Sequence, residues 1–321
     1  MKKVLWSLMD DRRGSVGQAL GVIGALSNIE TIEKKIEYTK LAGLPNCIRG
    51  KSLLGITDNS KNEIASPFPD YVMSISRRTV PVARYIKKLS PKTKLIQLMH
   101  PGTCGLKEFD LVVVPEHDKN KTAYKNIHYI TGCPHRITDE YLNEAKQKWE
   151  KEFNNLPKPL TAVIVGGAIK NKPFSQENAI LLGKAIKELK NKIGGSILIT
   201  TSRRTGIEAQ NIIMEQIKDI PQYTFLWGEK KENPYSGFLA CADNIVVTAD
   251  SVSMSCEATG TGKPIYLFTG KDWLTPKHIR FANSLCEKEC AILLDDEKSA
   301  TFTPKTSLNA AKEIAQLIEK L

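Results

Sequence analysis

The chain has 321 residues, which at roughly 150 residues per domain predicts two domains. Hydrophobic residues make up 41%, charged residues 25% and aromatics 7%, a balance that excludes a mainly disordered chain, a collagen-like chain and a disulfide miniprotein. Lys and Arg number 46 against 35 Asp and Glu, a formal net charge of +11, and such a surplus favours an anionic partner: nucleotide, phospholipid surface or nucleic acid.

The first apolar stretch, residues 4–9, is cut short by Asp10, Asp11, Arg12 and Arg13. It is too brief for a signal-peptide core and predicts the first strand of a cytoplasmic protein. Further strands are predicted at 71–75, 94–99, 111–115, 127–130, 161–165, 197–201, 224–227, 245–248, 265–268 and 291–294. Most are β-branched and almost continuously apolar, as parallel strands buried on both faces are. Helical patterns separate them. Leu182, Ile186 and Leu189 share a helix face, and so do Ile213, Ile217 and Ile220. Alternating strand and helix predicts an α/β fold with parallel sheets. A charged helix over 141–153 runs into Asn154-Asn155-Leu156-Pro157-Lys158-Pro159, read as a stiff linker. The expected domains are therefore 1–155 and 156–306, with an amphipathic helix over 307–321 crossing back to the first. The longest apolar runs have strand length, so no membrane span is expected. The seven cysteines are odd in number and lack a Cys-x-x-Cys, which predicts reduced thiols. Cys286 and Cys290 have helical spacing but no further ligand pair, so neither a metal nor a cofactor is expected.

Ligands of open α/β sheets bind at the carboxyl ends of the strands, so the chemistry is sought after each strand. After the first comes Asp10-Asp11-Arg12-Arg13-Gly14-Ser15-Val16-Gly17-Gln18. It is neither a dinucleotide motif nor a P-loop, yet it offers a helix start and, in Asp11, a general base toward an acceptor hydroxyl. Ser76-Arg77-Arg78-Thr79 ends another strand, and Ser202-Arg203-Arg204-Thr205 repeats it in the second half. This shared strand–turn–helix signature suggests two similarly wound domains. His100 and His117 also fall at strand ends of the first half, and Glu116 and Asp118 are placed to orient His117.

In the second half, Gly166-Gly167 is expected to let a phosphate or sugar approach the backbone. Arg203 and Arg204 form a fork suited to a diphosphate. Asn233-Pro234 starts a helix. The most specific run is Ala249-Asp250-Ser251-Val252-Ser253-Met254-Ser255-Cys256-Glu257, followed by Gly260-Thr261-Gly262-Lys263-Pro264. Ser251 and Ser253 are expected to cap a helix whose start faces an anion, with Glu257 one turn in, where ribose hydroxyls would lie.

These residues resemble the donor half of the GT-B glycosyltransferases, in which a Ser/Gly-rich turn and a helical Glu hold a nucleotide-sugar before a Gly-Lys-Pro run. The whole chain is similar to the mitochondrial fission protein family named for the plant Elongated Mitochondria protein. The matching runs include Asp11-Arg12-x-Gly14 through Gln18, Arg77-Arg78-Thr79 through Arg84, residues 109–118, 195–205 and 232–235, Val247 through Met254, and Thr261 through Pro264. Asp11 stands where the family more often has Gly, and His100 through Gly105 also departs from its pattern. The resemblance implies a GT-B-like fold, two Rossmann-like domains facing across a cleft. It also implies transfer of a sugar from a nucleotide-diphosphate donor to an acceptor at or near a membrane, without a bound metal. In that reading Asp11 or His117 is the acceptor base, and Gly17, Gln18, Arg77, Arg78, His100 and Asp118 line the acceptor side. Gly166, Gly167, Arg203, Arg204, Asn233, Ser251, Ser253 and Glu257 hold the donor. The expected partners are a nucleotide-sugar and a lipid-linked or membrane acceptor, with any membrane contact peripheral through lysines such as Lys87, Lys88 and those of 146–151. The alternatives are a non-catalytic scaffold that recruits a fission partner, as the family does in plants, and a nucleotide-sugar epimerase or hydrolase. The charge is spread along the chain without an aromatic-interleaved basic motif, so nucleic acid is not an expected partner.

Overall fold

The computed structural model describes residues 2–102, 104–119 and 124–321. In chain order its elements are β1 (Lys3–Met9), α1 (Arg13–Ala25), β2 (Ile29–Lys35), α2 (Asn46–Arg49), α3 (Asp58–Asn62), β3 (Tyr71–Ser74), α4 (Val80–Leu89), β4 (Lys94–Leu98), β5 (Leu111–Pro115), β6 (Ile127–Ile130), α5 (Asp139–Phe153), β7 (Leu160–Val165), α6 (Gln176–Ile193), β8 (Ser196–Thr201), α7 (Ile207–Gln216), β9 (Gln222–Phe225), α8 (Tyr235–Cys241), β10 (Asn244–Thr248), α9 (Val252–Thr259), β11 (Ile265–Phe268), α10 (Pro276–Glu287), β12 (Ile292–Leu293) and α11 (Ala310–Glu319). They form two compact units, Met1–Arg136 with Asn309–Leu321, and Ile137–Leu308.

In the first unit a parallel sheet runs β2-β1-β3-β4-β5-β6. Its strands bury both faces, so alternate residues feed two cores. Leu5, Met73, Ile96 and Val113 point to one core, together with Val22 of α1 and Ile314 and Ile318 of α11. Trp6, Leu8, Val72, Leu95 and Val112 point to the other, against Val82 and Ile86 of α4. The strand at 29–35 was not expected: its Glu30, Glu33 and Lys35 are exposed, as an edge strand permits. Asn309 caps α11 by accepting from the Lys312 amide at 3.0 Å. Glu319 accepts from the Ser27 amide and hydroxyl at 2.9 and 2.8 Å, which pins the helix to the end of α1.

The second sheet runs β12-β11-β10-β7-β8-β9, again parallel. Read within the unit this is the 3-2-1-4-5-6 winding of a Rossmann fold, while the first unit has the flavodoxin-like 2-1-3-4-5 order with one strand added. The contacts divide the chain at 136/137, not at 155/156, because α5 lies on the second unit. Its buried Ala145, Trp149 and Phe153 recur every four residues. Phe153 meets Tyr223 and Phe238 at centroid distances of 5.0 and 5.7 Å. The stretch read as a linker packs there too, with Ser196 donating to the Pro157 carbonyl at 2.7 Å. α7 ends at Gln216, one turn before the expected helix; Ile217, its C-cap residue, is nonetheless fully buried.

Ile314 is fully buried in the first core. Ile314→Ala should cost about 2–5 kcal/mol, measured by urea denaturation. Hydrogen exchange should show the loss at amides of β1 and β3 and spare those of β7 and β8.

Candidate functional site

Each sheet has one point where its winding reverses, β1/β3 in the first unit and β7/β10 in the second. There the connecting chains diverge and leave room for a ligand outside the carboxyl ends.

In the second unit Gly166 and Gly167 follow β7. The expectation that they leave backbone for a phosphate is corrected by what surrounds them. The Gly166 amide donates to Thr248 Oγ1 at 2.7 Å and the Gly167 amide to Asp250 Oδ2 at 2.9 Å. A Cβ on Gly166 would lie 2.2 Å from Asp250 Oδ1, and one on Gly167, whose φ is +150°, 2.1 Å from the Arg204 carbonyl carbon. The glycines are there for close packing. The arginine fork is also divided. Arg204 Nη1 pairs with Asp250 Oδ2 at 2.7 Å and donates to the Ala168 carbonyl at 3.0 Å. Arg203 is exposed and lines a pocket of about 360 Å³.

That pocket sits at the ends of β7, β8 and β9 and is walled by Phe225, Trp227, Tyr235 and Met254, with Asn233 at its rim. Trp227 is 58% exposed, an apolar plate facing open space. Asn233 Oδ1 accepts from the Tyr235 amide at 3.0 Å. The Tyr235 hydroxyl donates to Glu257 Oε2 at 2.5 Å, so the half-buried Glu257 is held beside the pocket. Ser251 occupies the N-cap of α9, but its side chain makes no capping bond, contrary to expectation. Ser253 is half-buried in the first turn, while Ser255 is fully buried and turned away from solvent. Lys263, of the Gly-Lys-Pro run, donates to the Leu239 and Ala240 carbonyls at 2.7 Å each and closes the end of α8, and burial pushes its ammonium down to about 8.

The first unit repeats the arginine turn bond for bond. The Ser76 amide donates to Thr79 Oγ1 at 3.3 Å and the Arg78 amide to Ser76 Oγ at 3.2 Å. The corresponding distances at Ser202 and Arg204 are 3.0 and 3.1 Å. Again the second arginine takes a buried aspartate, Arg78 Nη2 to Asp10 Oδ1 at 2.5 Å, and here it also pairs with Asp11. Its guanidinium stacks 4.0 Å above the Tyr38 ring. Arg78 therefore holds the Asp11 carboxyl below the usual carboxylate range, which weakens it as a base. The exposed Arg77 donates to the Gly43 and Leu44 carbonyls. Gly17, with open space where a Cβ would be, and Gln18, whose Oε1 is buried without a partner, lie on α1. His100 Nδ1 accepts from the Gly102 amide at 3.1 Å. It follows Met99, whose φ of 67° is strained for a non-glycine residue; Thr103, in the same segment, is outside the described residues. His117 is buried, with Nε2 3.9 Å from Asp118 Oδ2. The two candidate bases are not brought together. The ends of β1 and β5 are three strand spacings apart, roughly 14 Å at about 4.8 Å each.

Sequence reasoning missed the roles of Asp10 and Asp250. Asp10 directly follows β1 and Asp250 lies two residues past β10, both at strands of the reversal, and that position was the available signal.

Two parallel α/β units of Rossmann-like winding, each with a polar turn at its reversal, define the GT-B class of fold. Solved structures of that class align with nearly the whole chain. The UDP-GlcNAc 2-epimerase of Methanocaldococcus jannaschii covers 99% of both chains with a TM-score of 0.58 at 13% identity. MurG of Acinetobacter baumannii covers 99% of this chain and 100% of its own with a TM-score of 0.54 at 13% identity. The UDP-GlcNAc 2-epimerase of Neisseria meningitidis, solved bound to UDP-GlcNAc, covers 99% of both with a TM-score of 0.53 at 15% identity. At such identities the likeness concerns the fold. The chain belongs to the mitochondrial fission ELM1 family, whose model matches residues 13–321. It is 30% identical to the uncharacterized protein RP120 of Rickettsia prowazekii over 98% of this chain and 97% of that one. It is also 30% identical to the mitochondrial fission protein ELM1 of Arabidopsis thaliana, over 73% of this chain and 59% of that one. Among the described residues no helix is long and apolar enough to cross a membrane.

Asp11 and Asp250, each paired with the second arginine of its turn, should titrate on opposite sides of the ordinary value near 3.9. Burial holds the Asp250 carboxyl above it, outweighing Arg204; Arg78 holds Asp11 below it. Asp250's contribution to stability is then full below the ordinary value and is lost as pH rises through its raised one. Asp11's is present above the ordinary value and is lost as pH falls through its depressed one. Carboxyl carbon NMR across acid pH, with Asp250→Asn and Asp11→Asn for assignment, should give that order.

Proposed function

We propose that the protein is a glycosyltransferase of GT-B type, with the second unit binding the nucleotide of a nucleotide-diphosphate sugar. The observation that carries this is the 360 Å³ pocket beside the start of α9. Its aromatic wall fits a nucleobase, with Trp227 as a stacking plate. The diphosphate lies toward the first-turn amides of α9, at the positive end of the helix dipole, with Arg203 beside it. Glu257, which accepts from the Tyr235 hydroxyl beside the pocket, is the carboxylate that would meet a ribose hydroxyl. Arg204 and Asp250 position rather than bind: their ion pair fixes the turn that presents Arg203. Negative charge developing on the leaving diphosphate would then meet donors already in place. That two structural neighbours are named UDP-GlcNAc 2-epimerases, one of them solved with UDP-GlcNAc, supports a nucleotide-sugar ligand.

On the acceptor side His117 is the better base, because Arg78 weakens Asp11 for that task. The acceptor is lipid-linked or at a membrane surface, and contact with that surface is peripheral. The lysines named from the sequence contribute unevenly: Lys87 is tied to the Thr93 carbonyl and Asp110, and Lys148 to Glu232.

The family's name favours a second reading, a scaffold that serves membrane fission without turnover. Calorimetry with UDP and UDP-GlcNAc separates the two. Binding is expected, with Trp227→Ala losing about 1–3 kcal/mol, the scale of base–aromatic stacking. Glu257→Gln should weaken binding while leaving the melting temperature nearly unchanged. Wild-type protein that binds no nucleotide-sugar at millimolar concentration would put the scaffold first. Where binding is seen, product analysis without an added acceptor separates transfer from epimerisation or hydrolysis.

A further inference from the structure

The strongest unassigned feature is a buried arginine in the first unit. Arg49, at the end of the four-residue α2, is 1% exposed. Its guanidinium is held by carbonyls: Nε donates to Leu54 O at 2.9 Å and Nη1 to Arg78 O at 3.0 Å, while Nη2 is buried without a partner. Asn46, on the same short helix, donates to Arg77 O at 2.9 Å, and its own Oδ1 is buried and unpartnered. The two side chains thus grip successive carbonyls of the arginine turn at the end of β3. Burying a guanidinium is costly unless a negative charge compensates it. The two carboxylates of the crevice pair with Arg78 rather than Arg49, Asp10 through Oδ1 while its Oδ2 is buried without a partner. Arg77 and Arg78 stand close enough to depress the affinity of Arg49 for its proton, after burial itself.

Counting Arg49, Arg77 and Arg78 against Asp10 and Asp11, the crevice carries three positive groups and two negative ones, with the exposed Arg12 at its mouth. Arg12 is also the N-cap of the 13-residue α1, whose first turn contains no acidic residue and receives no side-chain cap. Helix start, exposed Arg77 and uncompensated Arg49 all ask for the same thing, a compact anion.

We propose that the crevice at the carboxyl ends of β1 and β3 is an anion site that takes a phosphate group. The phosphate lies between Arg77 and the start of α1, with Arg49 as the buried charge behind the turn. Its place in a reaction rests on the transfer reading above, where it makes the acceptor a phosphate-bearing molecule; the binding itself does not depend on that reading. The phosphate belongs either to a soluble ester or to a lipid headgroup.

The test titrates the full chain with inorganic phosphate and glycerol 3-phosphate by calorimetry. In parallel, flotation is run with phosphatidylcholine vesicles with and without phosphatidic acid. Wild type should bind at millimolar concentration or better. Arg77→Ala should weaken binding by about tenfold, the scale of one charge-assisted hydrogen bond, with its melting temperature unchanged. Arg49→Met should do the same where it folds, and Lys218→Ala, at an exposed surface pair of the other unit, should leave binding intact. Loss of glycerol 3-phosphate binding in Arg77→Ala assigns a soluble ester; loss confined to phosphatidic acid vesicles assigns a headgroup. Absence of binding in both arms, or binding kept in full by Arg77→Ala, overturns the proposal. If UDP fails to bind while phosphate behaves as stated, the transfer reading falls and the anion site stands.

Discussion

A parallel sheet that reverses its winding cannot cover the ends of the two strands where it does so. That constraint organises the polar chemistry of both units. At β1/β3 and at β7/β10 the backbone diverges, and the chain meets the exposed ends with the same device. An aspartate just past one strand is buried, and the second arginine of a Ser-Arg-Arg-Thr turn reaches it. Burying a lone carboxylate at either place would be prohibitive; paired, it ties strand ends together, β1 to its neighbour β3 in the first unit and β10 to β8 across β7 in the second. The serine and threonine of the turn then satisfy its own amides, so the turn holds its shape without help from a ligand.

The shared device leaves one arginine of each pair for other work, and the surroundings decide what work. In the second unit Arg203 borders an apolar, aromatic-walled pocket. In the first, Arg77 donates to the Gly43 and Leu44 carbonyls, with the buried Arg49 on the carbonyl side of the turn. The same turn therefore borders an aromatic-walled pocket in one unit and, in the other, mostly polar groups with the Tyr38 ring against Arg78. The difference comes from what packs around the turn: the aromatics that close β9 and α8 on one side, and α2 gripping the turn's carbonyls on the other.

Much of this was legible in the residues. The buried strands announced themselves as apolar runs, because parallel strands covered on both faces leave no room for alternation. β2 did not, since an edge strand with Glu30, Glu33 and Lys35 in solvent carries a pattern no different from a loop. α7 was read too long because Ile217 is buried in a turn rather than on a helix face, and apolar spacing does not tell those apart. The arginine turns were legible as a repeat, but their partners were not. Asp250 lies far along the chain from Arg204, and only the strand order brings them together. Gly166 and Gly167 were misread for the same reason, because the groups that fill their Cβ positions come from the turns after β10 and β8. Arg49 sits in a stretch with no periodicity, where nothing in the spacing distinguishes a buried guanidinium from an exposed one.

The net charge of +11 can now be weighed against these sites. Several lysines are spent locally: Lys87 on Thr93 and Asp110, Lys148 on Glu232, Lys263 on the end of α8. An exposed pair such as Lys148–Glu232 contributes little and fades with salt. What distinguishes the strand ends is geometry, since a guanidinium fixed by a turn has already lost the freedom that a surface lysine must give up on binding. The positive surplus sets a long-range field, whereas the arginines of the two turns hold fixed directions because their turns are tied to the strand ends.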